Sequence, residues 1–357
     1  MKRKIRVLII DDSALVRNIL AQGLASDPGI EVVGAATDPY HARDLIVATE
    51  PDVLTLDVEM PRMDGVEFLR RLMPQHPLPV VMVSALTQRG KQITIEALDA
   101  GAVDFVSKPS VNVASGLHGM IVELCTKIKI ASTANVSHWK MQRGELVRRL
   151  ATAPATRALA ESTDKVIVIG ASTGGTEAIR RVITHFPAGM PGVVIVQHMP
   201  PGFTTMFAQR LNQLSAMHVH EAADGDRIMP GVALVAPGGV QMQIVRSGGI
   251  YRVACAGEER VNGHCPSVNV LMHSAAKHVG ANAVGVLLTG MGADGALGLK
   301  AMRDAGARTL GQDERTSVVF GMPKMAHELG ATETLLPIDE IAPAVIDRLR
   351  RKTAKTG

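Results

Sequence analysis

Three aspartates, a serine and a lysine stand at the ends of apolar runs in the first third of the chain. Asp11 and Asp12 follow IRVLII, Asp57 ends VLTLD, and Ser84 and Lys108 lie at the ends of two later runs. Converging carboxylates repel one another and raise each other's pKa unless a cation neutralises them. An all-oxygen ligand set that keeps several waters suits Mg²⁺ better than zinc. With a hydroxyl and an ammonium group beside them, these carboxylates predict phosphoryl-transfer chemistry.

The second half of the chain carries residues that could form a serine-hydrolase site. Ser172 lies in KVIVIGASTGG, on a predicted turn from a strand to a helix, within a GxSxG frame. His198 ends VVIVQH, and Asp294 lies in the glycine-rich loop TGMGADG after AVGVLLT. A serine nucleophile needs a base and an acid that orients the base. The chain order Ser, His, Asp differs from the Ser, Asp, His order of α/β-hydrolases. We therefore expect a triad of the same geometry that arose independently of those enzymes.

Each of these groups of residues has a plainer interpretation. An aspartate at a strand end can be a helix N-cap or a turn residue, although five chemically suited residues at the ends of four strands are hard to explain that way. The turn at Ser172 could be an ordinary tight turn or a dinucleotide loop, but Ser172 stands where GxGxxG needs its second glycine. His218, His220 and His264 are rivals of His198 for the role of the base.

Alternating strands and helices would position the first group of residues. Strands are predicted at IRVLII, IEVVG, VLTLDV, PVVMVSA and VDFVSK. Helices are predicted from about Ser13, near residues 39–48, after Asp64, near residues 90–98 and up to about residue 130. This βαβ rhythm predicts an α/β fold of the flavodoxin-like type, with a five-stranded parallel sheet in the order 2-1-3-4-5. Functional groups collect at the carboxyl ends of the strands in such a sheet.

A break in the strand pattern predicts two domains and a linker. We place the first domain at residues 1–130, the linker at residues 131–162 and a second α/β domain at residues 163–357. The linker is rich in Ala, Ser, Thr and Arg, and its GELVRRLA segment could be helical. The second domain is predicted to be doubly wound and mainly parallel, with a β-hairpin insertion at MPGVALVAPGGVQMQIV. The ending DRLRRKTAKTG is predicted to be a frayed, solvated end.

Composition excludes several functional classes. The chain has 357 residues, 46% hydrophobic and 20% charged, as in ordinary globular proteins, and its net charge of +4 is a weak excess. With 3% aromatic residues and no helix-turn-helix pattern, we expect no nucleic-acid partner. Three cysteines without a CxxC pair indicate a reducing cytoplasm. No run approaches the roughly 20 apolar residues of a membrane span, so we expect no membrane insertion.

The first domain resembles the response-regulator receiver family over about residues 4–125. The resemblance rests on DD at 11 and 12, on Asp57, on MPRMDG from Met60 to Gly65, on Ser84 and on KP at 108 and 109. It implies that Asp57 accepts the phosphoryl group. It also implies a Mg²⁺ site formed by Asp11, Asp12, Asp57 and the main-chain carbonyl of Glu59.

The resemblance to the receiver family further implies a switch beside the phosphorylation site. Ser84 would contact the phosphoryl group, Lys108 would balance its charge, and Phe105 occupies the position of the switch aromatic residue. The bond between Lys108 and Pro109 is expected to be cis, as in the family.

The second half resembles the catalytic domain of the chemotaxis protein-glutamate methylesterases over about residues 163–350. The matching segments are GASTGG, VQHMPPGFT, APGG at 236–239, HCPSVNVL at 264–271 and LLTGMGADG. Since those enzymes join a receiver to this domain, the combined architecture is more specific than either half. It implies hydrolysis of γ-glutamyl methyl esters on the cytoplasmic part of chemoreceptors, with deamidation of receptor glutamines. A chemotaxis histidine kinase would donate the phosphoryl group.

The same resemblance assigns roles to residues in the second domain. Ser172 would be the nucleophile, His198 the general base and acid, and Asp294 the group that fixes the imidazole. Main-chain N–H groups at Thr173 and Met291 would bind the oxyanion. No cofactor is expected in this domain.

Two questions of function stay open at the level of sequence. The rival to an esterase is a response regulator whose second half only binds a nucleotide or an effector through the loop from Gly170 to Gly175. For control, we expect the unphosphorylated receiver to cover the active-site loops and phosphorylation to loosen this contact.

Overall fold

A computed structural model describes residues 3–85, 87–109, 113–143 and 164–350. The chain divides into two compact units, Met1–Thr152 and Ala153–Gly357. The predicted helix at GELVRRLA and the last seven residues of the predicted frayed end lie outside the described residues. The domain boundaries at residues 130 and 163 stay predictions. No helix in the described ranges is long and apolar enough to cross a membrane.

The first unit contains the five-stranded parallel sheet predicted from the sequence, in the order β2-β1-β3-β4-β5. Its strands are β1 (Ile5–Ile10), β2 (Ile30–Ala36), β3 (Val53–Asp57), β4 (Val80–Ala85) and β5 (Asp104–Lys108). Its helices are α1 (Ala14–Ala25), α2 (Pro39–Thr49), α3 (Gly65–Leu72), α4 (Gln88–Asp99) and α5 (Val113–Ala131).

The helices of the first unit begin where the sequence supplies a capping side chain. Ser13, Asp38, Asp64 and Thr87 stand immediately before α1, α2, α3 and α4, and each accepts a main-chain N–H of the first turn. Such a cap is worth about 1 kcal/mol. The strand between α2 and α3 is buried along its whole length, which explains why β3 reads as a continuous apolar run ending in Asp57.

Part of the predicted linker belongs to the first compact unit. After α5 the chain forms a 3₁₀ helix, Ser137–Arg143, whose Trp139 is buried. A Cβ added at Gly101 would lie 3.0 Å from the Trp139 ring and 3.0 Å from the Met73 side chain. Through Trp139, the segment after α5 therefore adds an apolar contact to the core of the first unit.

The second unit is built on a seven-stranded sheet in the order β14-β13-β12-β6-β7-β9-β8, and all its pairings are parallel. Its strands are β6 (Val166–Ala171), β7 (Gly192–Gln197), β8 (His218–Glu221), β9 (Val232–Val235), β12 (Ala283–Leu287), β13 (Arg308–Gln312) and β14 (Thr334–Leu336). Its helices are α6 (Gly175–Ile183), α7 (Phe203–Leu214), α8 (Val268–His278), α9 (Ala296–Asp304), α10 (Met322–Glu328) and α11 (Ile338–Arg350), with a 3₁₀ turn at Gly280–Asn282.

The predicted hairpin insertion is present, but it is shorter and begins later than expected. Strands β10 (Met242–Ser247) and β11 (Ile250–Cys255) pair in antiparallel fashion as a separate two-stranded sheet. The preceding VALV run was expected to belong to the hairpins, and this expectation is wrong. As β9 it lies between β7 and β8 in the parallel sheet, where an apolar run can be buried on both faces.

The first four residues of the predicted frayed end are helical, which the prediction did not expect. Residues 347–350, the start of the predicted frayed end, form the last turn of α11. Leu349 is buried, and its carbonyl accepts a hydrogen bond from Lys165 at 2.7 Å. Burial of an apolar side chain in this last turn explains why the helix continues.

The order of strands in the second unit creates a crevice at the end of β6. From β6 the chain crosses to β7 on one side of the sheet, whereas β12 pairs with β6 on the other side. Ligands of open α/β sheets bind at the carboxyl ends of the strands where the order reverses in this way. The loops after β6, β7 and β12 meet there, and they carry Ser172, His198 and Asp294.

Candidate active site and phosphoacceptor pocket

An acidic pocket lies at the carboxyl edge of the first sheet, where the sequence predicted it. Ligand oxygens of Asp11, Asp12 and Asp57 all lie within 4.8 Å of one another. Asp11 and Asp57 are buried and Asp12 is exposed, so the pocket is open on one side. The main-chain carbonyl of Glu59 accepts none of the hydrogen bonds that join described residues. An all-oxygen set of this kind fits a magnesium ion that keeps several waters.

Lys108 neutralises the two buried carboxylates of this pocket. Its ammonium nitrogen lies 3.0 Å from Asp11 Oδ2 and 2.9 Å from Asp57 Oδ2. Burial raises the pKa of Asp57 to about 6, and the Lys108 ammonium opposes this rise. Burial lowers the pKa of Lys108, but the Asp57 and Asp11 carboxylates outweigh it, and the net shift is upward. Lys108 therefore stays charged beside the oxygen that would accept a phosphoryl group.

Ser84 and Phe105, the predicted switch residues, lie beside the pocket in closed surroundings. Ser84 is fully buried, and its Oγ accepts a hydrogen bond from Thr94 Oγ1 at 2.6 Å and donates one to the Gly90 carbonyl at 3.2 Å. Phe105 is buried, with Lys127 Nζ 5.0 Å from its ring centroid. Their roles in switching stay predictions.

The expectation of a cis bond between Lys108 and Pro109 is wrong. Among the described residues the cis peptide bond is Cys265–Pro266, and Lys108–Pro109 is trans. Because the two isomers of an X-Pro bond differ by only about 0.5–1 kcal/mol, a family resemblance does not fix the isomer by itself.

Ser172 is held on a tight turn directly after β6. Gly174, two residues later, has φ of 74° and forms the N-cap of α6. The Gly290 backbone presses against the serine, because a Cβ added at Gly290 would lie 2.7 Å from Ser172 Cβ. The Ser172 main-chain N–H also donates to the Thr289 carbonyl at 3.0 Å. The loop after β12 therefore fixes the backbone of the candidate nucleophile.

His198 and Asp294 form the hydrogen-bonded pair that the predicted triad requires. His198 Nε2 lies 2.8 Å from Asp294 Oδ2, and both side chains are buried. The other ring nitrogen, Nδ1, is buried and has no hydrogen-bond partner among the described residues. With Nε2–H donating to Asp294, Nδ1 is the nitrogen with a free lone pair. It is therefore the ring atom available to act as a base, and Ser172, at the end of the neighbouring strand, is the candidate donor of the proton.

The Asp294 carboxylate sits at the N-terminus of α8 and accepts four further hydrogen bonds. Donors are Ser267 Oγ at 2.8 Å, Val268 N at 2.7 Å, Asn262 Nδ2 at 3.0 Å and Asn269 N at 3.3 Å. Burial raises the pKa of Asp294, but the hydrogen bonds from His198, Asn262 and Ser267 outweigh it and hold this pKa well below its ordinary value. Asp294 is therefore ionised and fixed in orientation.

The rival histidines lie in other places. His264 stacks on His198, with ring centroids 3.6 Å apart and an angle of 9° between the rings. His218 and His220 belong to β8, an edge strand, where His220 Nε2 lies 3.3 Å from Asp226. Only His198 has both the strand-end position next to Ser172 and the bond to Asp294.

Thr173 and Met291, the predicted oxyanion donors, flank Ser172 on two loops. Thr173 follows the serine and is buried, and its carbonyl accepts a hydrogen bond from Thr289 Oγ1 at 3.0 Å. Met291 follows Gly290, the residue packed on Ser172, and its side chain is exposed. The placement suits two main-chain donors on either side of one substrate oxygen, and that role stays a prediction.

Gln197 is a site residue that the sequence did not reveal. It is the last residue of β7, and its side chain is 4% exposed. Its Nε2 donates to the Ser172 carbonyl at 2.9 Å and to the His198 carbonyl at 3.3 Å. The amide therefore ties the backbone of the candidate nucleophile to that of the candidate base. Its position beside His198 in VVIVQH was the available signal.

Replacing Gln197 with methionine should lower kcat about tenfold or more, because a displacement of about 1 Å at the reacting atoms can cost 10²-fold. Methionine has a similar volume but donates no hydrogen bond, so the Ser172 and His198 carbonyls lose their common partner. Steady-state ester hydrolysis by Gln197→Met and by the exposed control Gln213→Met would check this. An unchanged kcat in Gln197→Met would show that the bridge is dispensable.

Together the fold and the two sites define a phosphoacceptor receiver domain accompanied by a candidate serine-hydrolase domain. A family model described as response regulator receiver domain matches residues 7–115, and one described as CheB methylesterase matches residues 167–345. The chain belongs to the protein-glutamate methylesterase family.

Relatives match the chain from end to end. A protein-glutamate methylesterase/protein-glutamine glutaminase of Syntrophotalea carbinolica is 68% identical, with 99% of both chains covered. One of that name from Pseudomonas aeruginosa is 50% identical, with 98% of both chains covered. Among solved structures, the CheB methylesterase catalytic domain of Thermotoga maritima superposes with a TM-score of 0.51 at 35% identity, covering 52% of this chain and 99% of that one.

Proposed function

We propose that this protein is a phosphorylation-activated serine esterase that hydrolyses glutamate γ-methyl esters of chemoreceptors and deamidates receptor glutamines. The observation that carries the proposal is the buried His198–Asp294 pair with its free Nδ1, one strand away from Ser172. Whole-chain relatives bear the name protein-glutamate methylesterase/protein-glutamine glutaminase, which supports the substrate class. An adaptation role in chemotaxis follows from that substrate.

In the first half of the reaction, Ser172 Oγ attacks the carbonyl carbon of the γ-methyl ester, and its proton passes to His198 Nδ1. Asp294 stabilises the resulting imidazolium through Nε2. The carbonyl oxygen gains negative charge and would accept hydrogen bonds from the main-chain N–H groups of Thr173 and Met291. The bond from carbon to methoxy oxygen then breaks, His198 returns the proton to that oxygen, and methanol leaves.

In the second half, water hydrolyses the glutamyl ester of Ser172. His198 Nδ1 takes one proton of the water while the oxygen of the water attacks the carbonyl carbon. The bond between that carbon and Ser172 Oγ then breaks, and His198 gives the proton to Oγ. The product is the glutamic acid side chain, which loses its remaining proton to solvent and becomes the carboxylate. With a glutamine substrate the same steps release ammonia in place of methanol.

The receiver unit would control this chemistry through Asp57. Asp11, Asp12, Asp57 and the main-chain carbonyl of Glu59 would hold Mg²⁺, which offsets negative charge during phosphoryl transfer. Lys108 already contacts the Asp57 oxygen and would pair with the phosphoryl group. A chemotaxis histidine kinase is the proposed donor. The cytoplasmic location, the absence of a nucleic-acid partner and control by covering the active-site loops stay predictions.

Replacing Asp57 with asparagine should leave basal esterase activity intact and abolish stimulation by a phosphoryl donor. The substitution removes the accepting oxygen, whereas the triad lies in the other unit. We expect wild-type activity to rise at least about fivefold, the lower end of usual allosteric couplings. Methanol release from methylated receptor membranes, with and without a phosphoryl donor and Mg²⁺, measures both quantities. Equal stimulation of Asp57→Asn and wild type would refute control through this residue.

A further inference from the structure

His264 belongs to a loop that is fixed tightly beside the active site. Its main-chain N–H and carbonyl exchange hydrogen bonds with Val261 at 3.0 Å each, and the same carbonyl accepts Gln241 Nε2 at 3.1 Å. Between them, Asn262 reaches Asp294 Oδ1 at 3.0 Å. One short loop therefore contacts the acid of the triad through Asn262 and presents His264 to the base.

The His264 ring covers one face of the His198 ring. The centroid distance of 3.6 Å and the angle of 9° describe two nearly parallel rings in van der Waals contact. Hydrogen bonding to Asp294 at Nε2 fixes one edge of His198, but a single bond leaves the ring able to rotate about it. A second flat ring in contact with one face opposes that rotation.

We propose that His264 is a positioning residue for the general base. Its ring holds the His198 imidazole in one plane, so that Nδ1 keeps a fixed position while Nε2 stays bonded to Asp294, and it keeps water off that face. This inference rests on the proposed roles of Ser172 and His198, and it assigns His264 no proton transfer. What the position requires is a flat, uncharged ring.

The surroundings of His264 keep it uncharged, as this role demands. Burial lowers the pKa of His264 to about 4, and the neighbouring His198 and Arg260 contribute in the same direction, whereas Asp294 opposes them. At neutral pH the ring therefore carries no charge. A positive charge at 3.6 Å would oppose formation of the His198 imidazolium during catalysis, so a neutral stacking partner is the favourable one.

The test compares two substitutions that differ in whether the flat ring survives. His264→Phe keeps an uncharged aromatic ring and loses both nitrogens, whereas His264→Ala opens the face of His198. His218→Ala is the control, because His218 is an exposed histidine on an edge strand of the same unit. Steady-state methanol release gives kcat and KM for the full-length variants, thermal unfolding checks their folding, and a fluorophosphonate probe measures the reactivity of Ser172.

We expect His264→Ala to lower kcat and the rate of Ser172 labelling about 10- to 100-fold, with KM changed less than about twofold. His264→Phe should stay within about threefold of wild type in both rates. Equal losses in the two variants would overturn the proposal, because the effect would then come from the ring nitrogens of His264. A wild-type rate in His264→Ala would also overturn it. Fluorophosphonate labelling that is equal in wild type and in Ser172→Ala would instead refute the proposed function, because Ser172 would then not be the nucleophile.

Discussion

Replacing Ser172 with alanine is expected to lower the rate of ester hydrolysis by about 10⁶-fold, the size of effect found when the nucleophile of a serine protease is removed. Ser172 stands on a turn fixed by Thr289 and Gly290, and the neighbouring base has one free nitrogen. Without the hydroxyl, His198 has no proton to accept and no acyl intermediate can form. The remaining main-chain donors could only polarise the substrate for direct attack by water.

Methanol release from methylated receptor membranes measures the effect of Ser172→Ala directly. Ser247→Ala is a matched control, because Ser247 is exposed at the end of β10. Phosphorylation of Asp57 should be unaffected in both variants, which shows that the receiver remains folded. Methanol release that survives Ser172→Ala would favour the rival interpretation, in which the loop from Gly170 to Gly175 only binds an effector.

The strand order and the acidic pocket of the receiver unit could be predicted because local signals agree with the global fold. Apolar runs end in Asp11, Asp57 and Lys108, and capping residues begin the helices between them. In the second unit, the prediction that the VALV run belongs to a hairpin is wrong. Glycines and prolines around it indicate turns, but they do not say whether the run pairs with its sequence neighbour or enters a distant parallel sheet.

The positions of Ser172, His198 and Asp294 after strands could be predicted from the sequence, but the residues that support them could not. Ser267 and Val268 donate to Asp294 across 27 and 26 positions of sequence, and the contact exists only because α8 points its N-terminus at the loop after β12. The stacking of His264 on His198 is likewise a tertiary contact. Sequence spacing also gives no information on which nitrogen of His198 bonds to Asp294, and that choice decides which atom acts as the base.

This choice of nitrogen makes Asp294→Asn the second large effect that we expect, a fall in kcat of about 10⁴-fold, as for the equivalent change in a serine protease. Oδ1 of Asp294 accepts bonds from Asn262, Ser267 and Asn269, whereas Oδ2 accepts His198 Nε2 and Val268 N. The asparagine oxygen should therefore stay at the Oδ1 position, with three donors, and its NH₂ group should face His198.

An NH₂ group in that place requires Nε2 of His198 to accept a hydrogen bond, so the proton of the neutral ring moves to Nδ1. Nδ1 then cannot take the proton of Ser172, so the base has the wrong tautomer. The same NH₂ group faces the Val268 N–H, which loses its acceptor, so we also expect some loss of stability. Steady-state kinetics of Asp294→Asn, with the exposed Asp304→Asn as control, measures the loss, and thermal unfolding separates it from misfolding. A folded Asp294→Asn protein within about tenfold of the wild-type kcat would mean that Asp294 does not set the tautomer of the base.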